Sequence, residues 1–275
     1  MNFGTLGAGF GGMGRVGGVT VPTTADVLAL LAGSGGMVFD PTTITSLYKS
    51  TNTSTPVTAS GDTIGRFEDL LSAVALTQGT GANQPLYDVT GSIKSIVWDG
   101  TNDILSSSVS GIGILNNKAY GTIIAAVLPT SDVSNRRAFA IPRNSASSIR
   151  MAVDKSTSDK AQVTGRRLDA DGAAVKASTA AIAGSWCVIC GEHDYANTVQ
   201  SIQINLNAAE TATPGWGAGT ATSATDSAEI AMGGRNGGEF WLGKTGRMAI
   251  VAQQLSAGVK RDVIRWAAAG AEVYL

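Results

Sequence analysis

Apolar positions in this chain fall in short clusters, separated by glycine, serine, threonine, asparagine and proline. Ser201-Ile202-Gln203-Ile204-Asn205-Leu206 alternates strictly, the pattern of a strand with one wet face. Bounded apolar runs predict strands over residues 74–77, 93–98, 104–107, 120–128, 137–141 and 148–153. The same signal predicts strands over 162–166, 186–193, 199–206, 229–232, 239–242 and 247–252, after a short one within 37–41. Many short strands at fairly even spacing predict an all-β sandwich or barrel rather than βαβ units. Helical signals are few. Pro22, with Thr23 or Thr24 as a cap, predicts a short helix over 25–32 that Gly33 ends. Residues 43–49 read as one helical turn. Ser256 precedes a stretch in which Val259, Val263, Ile264 and Trp266 share one face. A helix to about residue 269 follows, covering part of the sandwich or its edge.

Charge then removes whole classes of function. Charged residues are 15% of the 275, against roughly 25% in an average globular protein. Lys+Arg 20 against Asp+Glu 21 leaves a net charge of −1. That balance excludes an electrostatic nucleic-acid binder and a basic membrane-surface protein. No apolar run reaches the roughly 18 residues of a membrane span. Two cysteines exclude a disulfide-stapled scaffold. The first 20 residues lack the basic start and apolar stretch of a signal peptide, so synthesis in a cytoplasm is expected. Residues 1–21 are a glycine-rich block interrupted by Phe3, Leu6, Phe10, Met13 and Val16. Backbone entropy opposes ordering such a block by itself. It reads as an arm, residues 1–22, that orders against a partner chain with those five side chains as anchors. The domain proper is expected over 23–275.

Several motifs match a pattern and fail its context. Gly7, Gly9 and Gly12 have dinucleotide-fingerprint spacing, but Gly14, Gly17, Gly18 and Pro22 prevent the helix that must follow. Residues 238–245 fit the P-loop pattern, yet Glu239-Phe240-Trp241-Leu242 favours a strand, and Lys244 reads as a solvated turn residue. Cys187 and Cys190 have thioredoxin spacing. In a strand, residues three apart face opposite sides about 10 Å apart, too far for a disulfide, so two buried thiols are expected. His193 is the single histidine, which weakens any Ser-His-Asp chemistry, and it reads as a solvent-facing strand-end residue beside Glu192 and Asp194. Asp99, Asn102 and Asp103 are candidate oxygen ligands for a calcium ion, or the residues of a β-turn. No metal or other cofactor is expected.

A longer order of segments resembles a known group. Met37-Val38-Phe39-Asp40-Pro41, Leu47-Tyr48-Lys49-Ser50, Thr55-Pro56-Val57-Thr58-Ala59 and Gly61-Asp62 with Ile64-Gly65 form its first half. Ala75-Leu76-Thr77-Gln78, Gln84-Pro85 with Tyr87, and Val97-Trp98-Asp99-Gly100 with Asn102-Asp103 and Leu105 form its second. This order resembles the laminin-G-like, concanavalin A-like sandwich proteins of tailed bacteriophages, over about residues 37–275. The segment at Trp186 and the stretch from Gly243 to the final helix are similar to later parts of that pattern. Asn102 stands where the pattern has a second acid. The resemblance implies an antiparallel two-sheet β-sandwich of jelly-roll, concanavalin A-like type, with a short N-terminal and a C-terminal helix. Enzymes of that fold cleave β-glucans with three acids on one strand. The nearest stretch here, Glu192 to Asn197, lacks the last of them, so the chain is expected to be no enzyme.

The leading expectation is therefore a virion structural protein: a capsid decoration, collar or tail component. It would act through contacts with other virion proteins, as a homo-oligomer, touching neither nucleic acid nor membrane. The alternative is a lectin-like module that binds glycans, with Trp216 in Pro214-Gly215-Trp216-Gly217 as the stacking residue. A glycoside hydrolase ranks last, since it needs two acids about 5–9.5 Å apart across a cleft.

Overall fold

The computed structural model describes residues 15–16, 19–72, 74–107, 113–132, 134–143, 148–217, 221–223, 229–235 and 238–275. Phe3, Leu6, Phe10 and Met13 of the expected arm, and the glycines of the dinucleotide pattern, lie outside the described residues. Val16 falls in a two-residue strand pair, β1 (Arg15–Val16) with β2 (Val19–Thr20). Then follow α1 (Thr24–Leu31), β3 (Met37–Phe39), β4 (Leu47–Tyr48), β5 (Arg66–Glu68), β6 (Ala75–Thr77), β7 (Leu86–Thr90), β8 (Ile93–Asp99) and β9 (Leu105–Ser106). The second half holds β10 (Tyr120–Pro129), β11 (Arg136–Arg143), β12 (Ser148–Lys155), β13 (Lys160–Gly165), β14 (Ala174–Ala181) and β15 (Cys187–Asp194). It ends with β16 (Val199–Ile204), β17 (Glu210–Ala212), β18 (Ala231–Met232), β19 (Leu242–Val251) and α2 (Ala257–Gly270).

These strands build two antiparallel sheets, a β-sandwich with one short N-terminal and one C-terminal helix. The first sheet runs β17-β16-β15-β10-β19-β8-β7. The second runs β14-β13-β12-β11-β18-β9-β6-β5-β4. One edge of β19 is shared: β8 pairs with its first half and β3 with its second. Of residues 239–242 and 247–252, read as two strands, Leu242 and residues 247–251 belong to one, β19, which β10 pairs from Pro129–Gly243 to Thr122–Val251 with a register shift between Ala125 and Val127.

The central strands β10, β15 and β19 are apolar on both faces. Ile123, Ala125 and Val127 point to the second sheet, with Ile189, Met248 and Ile250. Ile124 and Ala126 point the other way, with Val188, Cys190, Ala249 and Val251. Against that outer face pack Val27 and Leu31 of α1 and Val263, Ile264, Trp266 and Ala267 of α2. Thr23 caps α1 through a reciprocal pair with Asp26, and the Ser256 hydroxyl accepts the Val259 N–H at the start of α2.

A buried polar knot fastens both helices to this sheet. Asp40 is fully buried after β3. Its carboxylate accepts from Arg247 of β19 at 3.2 Å and from the Thr24 hydroxyl of α1 at 2.5 Å. Arg247 donates to the Trp266 carbonyl at 2.8 Å and lies over the Trp266 ring, 5.4 Å from its centroid. The indole N–H of Trp266 closes the circuit on Thr24 at 3.1 Å. Gly270 belongs to the same arrangement, since a Cβ there would meet Arg247 Cδ at 2.6 Å.

The lateral edges are closed too. Val57 N–H bonds the Leu47 carbonyl beside β4, and Tyr87 of β7 donates to the Asp62 carbonyl. One excursion therefore covers one edge of each sheet, where open edges invite aggregation. On the opposite side Glu210 of β17 bonds Lys176 and Thr179 of β14, joining the two sheets. Asp40→Ala strands the Arg247 guanidinium, and urea unfolding should show a loss of about 3 kcal/mol. Adding Arg247→Met should restore most of it.

Candidate functional site

The helices cover the central strands of the first sheet, and the outer face of β11–β14 in the second sheet is left without a helix. Strand register sets its polar groups in rows. Arg137 on β11 stands opposite Asp154 on β12, which stands opposite Gln162 on β13. In the adjoining row Ala152 faces Thr164, and Thr164 faces Val175 on β14. The small Ala152 is buried with Ala140 and Ile149. A groove of about 160 Å³ opens over these rows, with Asn135, Arg136 and Glu239 completing its wall.

Arg137 organises the site. Its side chain is only 8% exposed, its Nε meets Asp154 at 2.7 Å and its Nη1 meets Glu239 at 2.7 Å. Burial opposes the charge, but Asp154 and Glu239 outweigh it and raise the guanidinium pKa. Glu239 also meets Arg235 at 2.8 Å. Its backbone is left-handed, φ 58°, a costly state for a non-glycine residue. The Arg137 N–H donates to the Glu239 carbonyl at 2.9 Å and helps hold it there. Arg136 is equally occupied, by Asp132 at 2.5 Å and by the carbonyls of Gly100 and Phe240. Gln162 and Thr164, half-buried, make no side-chain hydrogen bond among the described residues. Val175 is 50% exposed beside them. The groove thus presents carboxylates fixed by guanidinium, plus free groups that both donate and accept, a surface suited to hydroxyl-rich ligands.

The residues singled out from the sequence sit elsewhere. Trp216 is 6% exposed. His193 and Tyr195 crowd its ring at centroid distances of 5.3 and 5.4 Å, and Arg167 lies 5.9 Å from it, so no face is offered to solvent for stacking. His193, read as a solvent-facing strand-end residue, is the next-to-last residue of β15 but fully buried between the sheets, where a Cβ on Gly165 would collide with its ring. Burial pushes it down to about 3, and the Gln200 amide at 3.0 Å donates to the neutral ring's Nε2. Glu192 faces α2 and is held by Ser201 at 2.8 Å and Lys260 at 3.0 Å. Lys244 is a strand residue paired with Asp88 at 2.7 Å, not a solvated turn, and Trp241 beside it is fully buried. The P-loop reading has no cradle.

Cys187 and Cys190 are free, buried and on opposite faces of β15. Burial pushes the Cys187 thiol up to about 12 and Cys190 up as well. Ellman's reagent should therefore find neither thiol in the native protein and both in urea. Asp99 spends one carboxylate oxygen on the N–H groups of Thr101, Asn102 and Asp103, and Asp103 accepts from the Asp99 N–H at 2.9 Å. These oxygens close a turn. Among the described residues no group of three or more His, Cys, Asp or Glu could hold a metal ion.

Burial, together with the Asp99 charge, pushes the Asp103 carboxyl up to about 6, against the hydrogen bond it accepts. A raised folded pKa stabilises fully below about pH 4 and is lost as pH rises through 6. Relative to Asp103→Asn, the natural protein should lose denaturant resistance between pH 4 and 7.

No protein-family model matches the chain, and no curated protein matches it. Solved structures do. A Trypanosoma rangeli sialidase in complex with 2-keto-3-deoxy-D-glycero-D-galacto-2,3-difluoro-nononic acid aligns over 91% of this chain and 34% of its own, with TM-score 0.56 and 10% identity. The same sialidase with 2,3-difluorosialic acid, a covalent intermediate, aligns over 89% and 33%, with TM-score 0.54 and 12% identity. The CBM40 of a Ruminococcus gnavus IT-sialidase bound to α2,6 sialyllactose aligns over 55% and 85%, with TM-score 0.44 and 15% identity. This chain spans about a third of the Trypanosoma sialidase chains it matches.

At such identity the likeness to the Trypanosoma sialidase is one of fold. It corrects one expectation even so. The chain was expected to be no enzyme because its fold lacked the β-glucanase acids. Chains that carry this fold include sialidases, so the missing third acid at Asn197, in the turn after β15, is no ground for that exclusion. The sialidase structures named above show no link to phage or laminin-G-like proteins. Among the described residues no helix is long and apolar enough to cross a membrane.

Proposed function

We propose that this chain is a carbohydrate-binding β-sandwich that holds a sugar in the groove over β11–β14. One observation carries the reading: Arg137, Asp154 and Gln162 form a cross-strand polar row, Thr164 lies in the next row, and Gln162 and Thr164 keep their hydrogen-bonding capacity unspent. Hydroxyl groups on a sugar ring need paired donors and acceptors at fixed spacing. A pleated sheet face supplies them with little entropy to lose, because the strands are already rigid. The fold shared with the Trypanosoma sialidase supports the same reading. The small volume points to recognition of one ring-sized unit, since drug-sized ligands fill roughly 300–1,000 Å³. Affinity per site should be weak, with Kd near 1 mM, about −4 kcal/mol. Virion placement and assembly partners, the first expectation from sequence, have no support in the structures named above.

A glycan array followed by NMR titration tests this. Bound sugar should shift the amide signals of Gln162 and Thr164, and the double variant Gln162→Ala with Thr164→Val should weaken binding about 30-fold, two hydrogen bonds near 1 kcal/mol each, with an unchanged melting temperature. Trp216→Ala should act through stability, because the ring is buried. Shifts confined to other faces, or binding indifferent to the double variant, would remove the groove from the account.

A further inference from the structure

We infer that the groove, taken as the sugar site proposed above, selects neutral sugars and rejects those bearing a carboxylate or sulfate. Its cations are already countered. Arg136 is held by Asp132, Arg137 by both Asp154 and Glu239, and Arg235 by Glu239. Three guanidiniums thus face three carboxylates, and the site has no net charge to offer an anion. An acidic ligand would have to take Arg137 from Asp154 or Glu239. Arg137 is nearly buried, so the displaced carboxylate would lose a partner where water replaces it poorly.

Two of the three carboxylates, Asp154 and Glu239, also line the groove themselves. Arginine holds both in place, Asp154 through Arg137 and Glu239 through Arg137 and Arg235. They attract hydroxyl protons and repel a ligand carboxylate. Gln162, Thr164 and Asn135 add groups that donate and accept without charge. Lys160 shares the strand face two residues from Gln162 but does not line the groove. The selection therefore runs opposite to the acidic ligands named with the neighbouring folds.

The experiment pairs each neutral sugar bound on the array with its uronic acid or sialylated counterpart, such as lactose with 3′-sialyllactose. Binding is read by NMR titration on the full chain at 0.15 M salt. Every neutral member that binds should lose at least tenfold in affinity on gaining the acid. Glu239→Gln, checked by thermal melting, should narrow that gap several-fold by leaving Arg137 and Arg235 with one fewer carboxylate. Acidic glycans that bind as tightly, shift Gln162 and Thr164, and are lost in the Gln162→Ala, Thr164→Val variant would overturn the selectivity while keeping the site. Loss of that binding in Lys160→Ala would place the anion contact outside the groove and overturn it in the same way. If no glycan, neutral or acidic, perturbs the groove, both the site and its selectivity fall.

Discussion

Three strands that are apolar on both faces govern this structure. β10, β15 and β19 cannot leave either side in water, because each carries a row of buried aliphatic side chains above and below the sheet. The second sheet answers one face and the two helices answer the other. Only after both coverings are in place does the outer face of the second sheet remain without a helix. The position of the groove is thus a consequence of where the most apolar strands lie.

The helices could not do this by apolar contact alone, since a short helix slides easily over a smooth sheet. The Asp40–Arg247–Trp266–Thr24 circuit fixes them. It joins a strand end, a central strand and both helices through charge-assisted bonds and one cation–π contact. Paired burial is what makes such a knot tolerable, and removal of one member is what makes it costly.

The same logic of paired charge shapes the groove to a different end. There Arg137 and Asp154 are buried enough to be rigid, while Glu239, about a third exposed, is the carboxylate that stays open to solvent. Rigidity comes from the ladder and from the ion pairs, so a ligand meets groups already in place. The polar end of the interior turns the His193, Tyr195 and Trp216 ring faces inward instead, with the Gln200 amide bonded to His193. Two clusters of similar residue types therefore differ in role because one opens to water and the other does not.

The fold class was legible along the chain, because side-chain alternation and bounded apolar runs are local signals. Thr23, Ser256 and the apolar stripe of α2 were legible for the same reason. The opposite orientation of Cys187 and Cys190 followed from the two-residue period of a strand. β4, β5, β7, β14 and β17 were not seen: β4 lies inside residues 43–49, read as a helical turn, and strands such as Ala174–Ala181 are small and exposed and carry little apolar pattern. A hint of the groove existed in the alternation Lys160-Ala161-Gln162-Val163-Thr164 and in the charged pairs Arg136-Arg137 and Asp154-Lys155 that border apolar runs. Register alone brought those positions into one row, and register is set by pairing between segments far apart in sequence. The burial of Trp216 was decided in the same way. A tryptophan between glycines reads as a loop tip, and only the packing of His193 and Tyr195 against it places the ring inside. What the sequence determined was the period of each element; which faces were covered, and which was left to meet a ligand, was decided by long-range packing that no local pattern encodes.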